Sequence, residues 1–205
     1  MTTPEISDLQ QDAQFQLLAE LGHDNIMPFV SEHYWQKKTW VTWLHYLFSL
    51  AILAVWVIIG LQDKLSFDAW FTQFGYAVLA FVVLLPVHEL IHGVVYQAFG
   101  ARDVRYGMSL RNFYAYAIAH RFVANQRIFS WVALAPFMVI NGLLILAILF
   151  FPTISFFLLG VLLLHTAGTS GDWALINFLW LNRQRQVYTF DDAHEKKSYF
   201  YANSL

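Results

Sequence analysis

Three residues inside an apolar run have the types and the spacing for hydrolytic chemistry. From Phe74 to Gly100 the chain reads FGYAVLAFVVLLPVHELIHGVVYQAFG, and His88, Glu89 and His92 form an H-E-x-x-H pattern. Residues four apart lie on one helix face, so both histidines can direct ring nitrogens at one cation. Glu89 is offset from that face but within reach of a water held by the metal. Zinc lowers the pKa of bound water to ~7, and a neighbouring carboxylate can take its proton while the hydroxide attacks a polarised carbonyl. The plainer reading is two backbone-bonded histidines beside a structural glutamate. It must absorb an uncompensated carboxylate in an apolar segment, which is costly.

A catalytic zinc site has three protein ligands and one open position. The four long apolar segments contain two acidic residues, Glu89 and Asp172, the latter in HTAGTSGDW. The segments carrying His92 and Asp172 run in the same direction, and the two residues stand seven and nine positions from their segments' ends. At ~1.5 Å per residue the depths differ by about one helical turn, so His88, His92 and Asp172 can meet in one plane. A carboxylate held by Thr166, Thr169 or Ser170 at a helix kink is the alternative role for Asp172. His165 is the rival ligand, but a straight helix sets it ~10 Å from Asp172 along the axis. His165 is therefore also a candidate for supporting a ligand or touching substrate, as are Asn141 of the third span and His120 of the loop before it.

The elements that must position these residues belong in a bilayer. The chain has 205 residues, 58% hydrophobic and 13% charged, with mean hydropathy +0.48; soluble domains carry about a quarter charged residues. Four segments reach the ~20 apolar residues a span requires: 40–61, 74–99, 129–151 and 153–181. Lys37, Lys38, the five arginines at 102, 105, 111, 121 and 127, and Arg183, Arg185, Lys196 and Lys197 gather on one side. The positive-inside rule makes that side, with both termini, cytoplasmic. Trp40, Trp43, Trp131 and Tyr96 read as interfacial belt. The absence of cysteine excludes disulfides and thiolate ligands. A net charge of −2 without a basic face points away from nucleic acid. The first forty residues lack a basic start and short apolar core, so no cleavable signal is expected.

Outside the spans, residues 1–39 form a soluble segment. Ile6, Leu9, Ala13, Leu17 and Leu21 predict an amphipathic helix ending near Gly22. In the Arg-rich loop, Val104–Leu110 and Phe113–Ala119 predict a β-hairpin around Arg111-Asn112, although AYAIA also suits a helix. Residues 182–205 read as a cytoplasmic tail. The fold class is thus an all-α membrane protein with four transmembrane helices, a short hairpin-like loop and an N-terminal amphipathic helix.

HELIH late in one membrane helix, LAPFMVING in the next and GTSGDW in the last resemble the zincin peptidase family of small, mostly bacterial membrane proteins. That family is similar to intramembrane metalloproteases of the site-2 protease type, and the resemblance covers roughly residues 80–200. It implies a third ligand at Asp172, with glycine before the aspartate rather than after it, and Asn141 as a helper residue behind Ala135-Pro136. It further implies that the loop after HELIH offers a sheet edge to substrate.

The expected function is a zinc metalloendopeptidase of the HExxH type in a bacterial cytoplasmic membrane. One Zn2+ per chain would be held by His88, His92 and Asp172, with Glu89 as acid/base. Its partners would be the lipid bilayer and a membrane protein or peptide substrate. A non-catalytic zinc-stabilised adaptor and a metal transporter are the competing classes. A transport path should show further His, Asp or Glu along the membrane, and only His45 and His165 are available.

Overall fold

The computed structural model describes residues 3–23, 25–109 and 114–204. A short helix α1 (Ile6–Gln11) precedes strand β1 (Phe15–Gly22), and a one-turn helix α2 (Met27–Val30) continues into a π-helical stretch over Ser31–Gln36. Two long helices follow, α3 (Trp40–Gln62) and α4 (Phe67–Ala98). Strands β2 (Val104–Ser109), β3 (Tyr114–Ala119) and β4 (Ala124–Asn125) lead into α5 (Gln126–Phe150). The chain closes with α6 (Ser155–Gly168), α7 (Ser170–Leu181), β5 (Val187–Asp192) and β6 (Lys197–Asn203).

The long helices begin where side chains satisfy their first free amides. Thr39 accepts from Val41 N, Ser66 from Ala69 N and Asn125 from Ile128 N. Apolar runs carry them onward, and α3, α4 and α5 are each long and apolar enough to cross a membrane. Helices α6 and α7 pass the same test as a pair bent by 43°. The bend falls at Thr169, whose hydroxyl donates to Thr166 O at 2.7 Å; such local bonding competes with the helical ladder. Large apolar side chains such as Leu50, Ile58, Val83, Leu143 and Leu149 point outward, a surface suited to lipid. Trp40, Trp43 and Trp131 are exposed near helix ends, whereas Tyr96 is buried against Phe122 and is no belt residue.

The fold is mostly helical but not all-α. A four-stranded antiparallel sheet in the order β1-β6-β5-β4 joins the two terminal segments, and β2 pairs with β3 as a separate hairpin. The hairpin register runs from Val104↔Ala119 to Ser109↔Tyr114, so AYAIA is strand; the expected turn at Arg111-Asn112 lies outside the described residues. The amphipathic helix expected up to Gly22 is overturned. Helix stops at Gln11, and Phe15–Gly22 is a strand paired with β6 through a bulge between Leu17 and Ala19. The same residues also alternate, and the partner strand at the far end of the chain decides between the two periods. The tail after Leu181 likewise contains the β5–β6 hairpin.

One aromatic residue fastens this sheet to the helices. Phe200 of β6 is fully buried, with ring centroids 6.1 Å from Phe29 of α2, 5.7 Å from Phe129 of α5 and 5.1 Å from Phe178 of α7. The sheet therefore caps the end of the bundle at which α4 finishes, α5 begins and α7 finishes.

Candidate metal centre

His88 and His92 are buried on one face of α4, and Asp172 comes from the first turn of α7. His88 Nε2 lies 3.1 Å from His92 Nε2 and 3.2 Å from Asp172 Oδ2, and His92 Nε2 lies 3.4 Å from Asp172 Oδ1. Nitrogen and oxygen ligands about 2.0–2.1 Å from a tetrahedral zinc stand about 3.3 Å from one another. The three contacts match that triangle.

The donors are also in the required form. His92 Nδ1 sits 2.8 Å from Val132 O of α5. A carbonyl only accepts, so Nδ1 carries the hydrogen, and the neutral ring offers a bare Nε2 lone pair to the cluster. A bare imidazole nitrogen and a carboxylate oxygen at this separation need a cation or a proton between them. The site fits a divalent transition metal; His88, His92 and Asp172 form the group of metal-competent side chains found among the described residues.

Glu89 faces the same space. Its carboxylate lies beside the backbone of Ala117 in β3, so the hairpin covers the residue that follows the first ligand. Tyr106 of β2 packs against Gly93, where an added Cβ would meet its hydroxyl at 2.0 Å. Glycine at this position lets the hairpin lie directly on α4 one residue after His92. A cavity of about 410 Å³ opens in front of the cluster, bounded by Ala115–Ile118 of β3, by Gly168 and Gly171 near the α6–α7 bend, and by Met27 and Trp35.

Of the other residues singled out in the sequence, His165 does not join the cluster. Its Nε2 faces His88 Nδ1 at 3.2 Å and its Nδ1 faces Asn141 Oδ1 at 2.7 Å. Asn141 in turn donates to Thr166 Oγ1 at 2.9 Å. His120 lies elsewhere, taking the Ala193 amide on Nδ1 with its ring 5.0 Å from that of His194, and does not line the cavity. His45 is fully buried between Tyr34 Oη (2.5 Å) and Thr166 O (2.8 Å).

Sequence reasoning missed the cavity's far wall. His23 Nε2 lies 3.0 Å from Ser198 Oγ, which donates to Asp191 Oδ1 at 2.5 Å, and Asp191 Oδ2 takes the Ala119 amide at 3.0 Å. All three side chains are buried and line the cavity. Burial pushes the Asp191 carboxyl up to about 6. His23 follows β1, whereas Asp191 and Ser198 pair across the β5–β6 hairpin, so the group joins the two ends of the chain and no local pattern marks it.

No curated protein and no solved structure matches the chain. A family model described as "putative zincin peptidase" matches residues 81–188, more than half of the 205. That stretch contains both histidines of the cluster, Glu89, Asn141, His165 and Asp172, and leaves out His23, Asp191 and Ser198. The chain belongs to this zincin peptidase family.

Proposed function

We propose that the chain is a membrane-embedded zinc peptidase of the site-2 protease type, hydrolysing peptide bonds of membrane or membrane-proximal substrates. The observation that carries this reading is the convergence of His88, His92 and Asp172 on one point, with Glu89 on the same cavity. His88, His92 and Asp172 would hold the ion. Zinc supplies Lewis-acid activation of water and of the scissile carbonyl.

The chain's own groups do the rest. Glu89 takes the proton of the attacking water and returns it to the departing amine nitrogen. The backbone of Ala117 lies beside its carboxylate. Val132 O holds His92 in its ligating form. A substrate helix must unwind before it can react, because its carbonyls are hydrogen-bonded within the helix.

The outward apolar faces of α3, α4 and α5 and the exposed tryptophans support insertion in a bilayer. Lys37, Lys38, Arg102, Arg105, Arg127 and Arg183 flank the sheet-bearing end of the helices. That end, with both termini, is therefore assigned to the cytoplasm.

The test is metal content and cleavage in one preparation. Full-length protein purified in detergent is expected to hold about one zinc per chain. In liposomes it should cleave members of a panel of single-span peptides, lose this with a chelator, and regain it with added zinc. Protein that retains no metal after zinc loading would overturn the proposal.

A further inference from the structure

The imidazole of His88 makes a polar contact at each nitrogen. Nε2 belongs to the candidate metal cluster, and Nδ1 meets His165 Nε2 at 3.2 Å. Two imidazole nitrogens in contact share one hydrogen, and which ring owns it decides whether His88 can bind a metal through Nε2. If the hydrogen is on His165, neutral His88 must carry its own on Nε2, where it blocks the ligand position.

The groups behind His165 decide the matter. His165 Nδ1 lies 2.7 Å from Asn141 Oδ1, and the amide nitrogen of Asn141 donates to Thr166 Oγ1 at 2.9 Å. An amide oxygen accepts and never donates, so His165 bears its hydrogen on Nδ1 and its Nε2 is bare. His88 Nδ1 must then donate to His165, which leaves His88 Nε2 free for a cation. His165, Asn141 and Thr166 are all buried. Water does not compete for these contacts, and the amide's donation to Thr166 keeps its oxygen turned to His165.

We propose that His165, with Asn141 behind it, is the positioning residue of His88: it fixes the metal-binding tautomer and the ring's orientation, and is not itself a ligand. This rests on the metal-site reading above. The two histidines of the H-E-x-x-H pattern are then held by different means. His92 is oriented by a backbone carbonyl of α5, and His88 by a side-chain relay crossing from α6 to α5 and back. His165 and Asp172 lie on either side of the 43° bend, so one bent segment delivers both a ligand to the metal and the partner that readies another ligand.

The experiment measures zinc affinity by chelator competition on full-length protein in detergent, together with the visible spectrum of the Co2+-loaded form. His165→Phe keeps a planar ring but removes both polar atoms. It should weaken zinc binding about 10–100-fold and alter the Co2+ bands. His165→Gln presents an acceptor toward His88 and a donor toward Asn141 in the same order, and should restore affinity to within a few-fold with a wild-type-like spectrum. Should His165→Phe fail to fold, Asn141→Leu, which removes the acceptor of the His165 hydrogen, carries the comparison and should weaken zinc in the same direction. Wild-type zinc affinity and Co2+ spectrum in a folded His165→Phe or Asn141→Leu protein would overturn this inference alone. Wild-type protein that binds no metal would overturn the metal-site reading and this inference with it.

Discussion

His88 and Asp172, from two different helices, stand 3.2 Å apart at Nε2 and Oδ2. Asp172 supplies both the negative charge and the third corner of the ligand triangle. Asp172→Asn keeps the side chain's shape and removes its charge, so the fold should survive while the cation loses its anionic ligand. Zinc affinity is expected to fall by more than about 100-fold, beyond the range seen for supporting residues. Chelator competition on the purified variant checks this; wild-type affinity would exclude Asp172 as a ligand.

Glu89 lies next to His88 in sequence but outside the ligand triangle, beside the backbone of Ala117. Glu89→Gln keeps the side chain's shape and cannot take up a proton. The variant should hold zinc with wild-type stoichiometry and lose cleavage by a factor of about 10² or more, the scale of general acid–base catalysis. Elemental analysis beside a liposome cleavage assay separates the two quantities. Appreciable turnover would remove Glu89 from the mechanism.

Asp191 gives the sheet a pH dependence of defined sign. Burial raises its carboxyl to about 6 from an ordinary 3.8, so the folded chain holds a proton that the unfolded chain releases. This contribution is fully present below pH ~4 and is lost as pH rises through about 6, with a size of roughly 3 kcal/mol. Asp191→Asn keeps an oxygen for the Ala119 amide and does not ionise. The wild type should therefore lose more thermal stability than the variant between pH 4.5 and pH 7.5 in detergent. Parallel melting temperatures across that range would contradict the assignment.

The legibility of this chain divides by range in sequence. The H-E-x-x-H pattern is local, and the depth of Asp172 follows from helix rise alone, so the cluster could be anticipated from residue types. His165 is legible as a candidate for supporting a ligand or touching substrate, but not as the partner of His88, because reckoning along a straight helix sets it two turns from Asp172. In the bent segment both side chains reach His88, one at each ring nitrogen. The β1–β6 pairing joins opposite ends of the chain, and the helical spacing of Leu17 and Leu21 concealed a strand whose partner lies near the C-terminus. Asn177 pairs with residues some 140 positions away, and a polar amide amid Ile176 and Phe178 is its one local signal.

Asn177 of α7 is fully buried and satisfies three groups at once. Its Oδ1 accepts from Thr39 Oγ1 at 2.5 Å, and its Nδ2 donates to the carbonyls of His33 and Lys37 at 2.6 Å each. The amide thus ties the helix bearing Asp172 to the segment leading into α3. Asn177→Leu fills similar volume but strands two carbonyls and a hydroxyl, each costing about 1–3 kcal/mol if buried without a partner. Because exposed relaxation recovers part of that loss, a destabilisation of about 2–4 kcal/mol is expected, seen as a lowered unfolding midpoint in detergent. Zinc should partly restore the midpoint by binding the folded form alone. An unfolding midpoint equal to that of the wild type would mean that α7 is held without this amide, and that the depth of Asp172 is set by the packing around Phe178 and Phe200 instead.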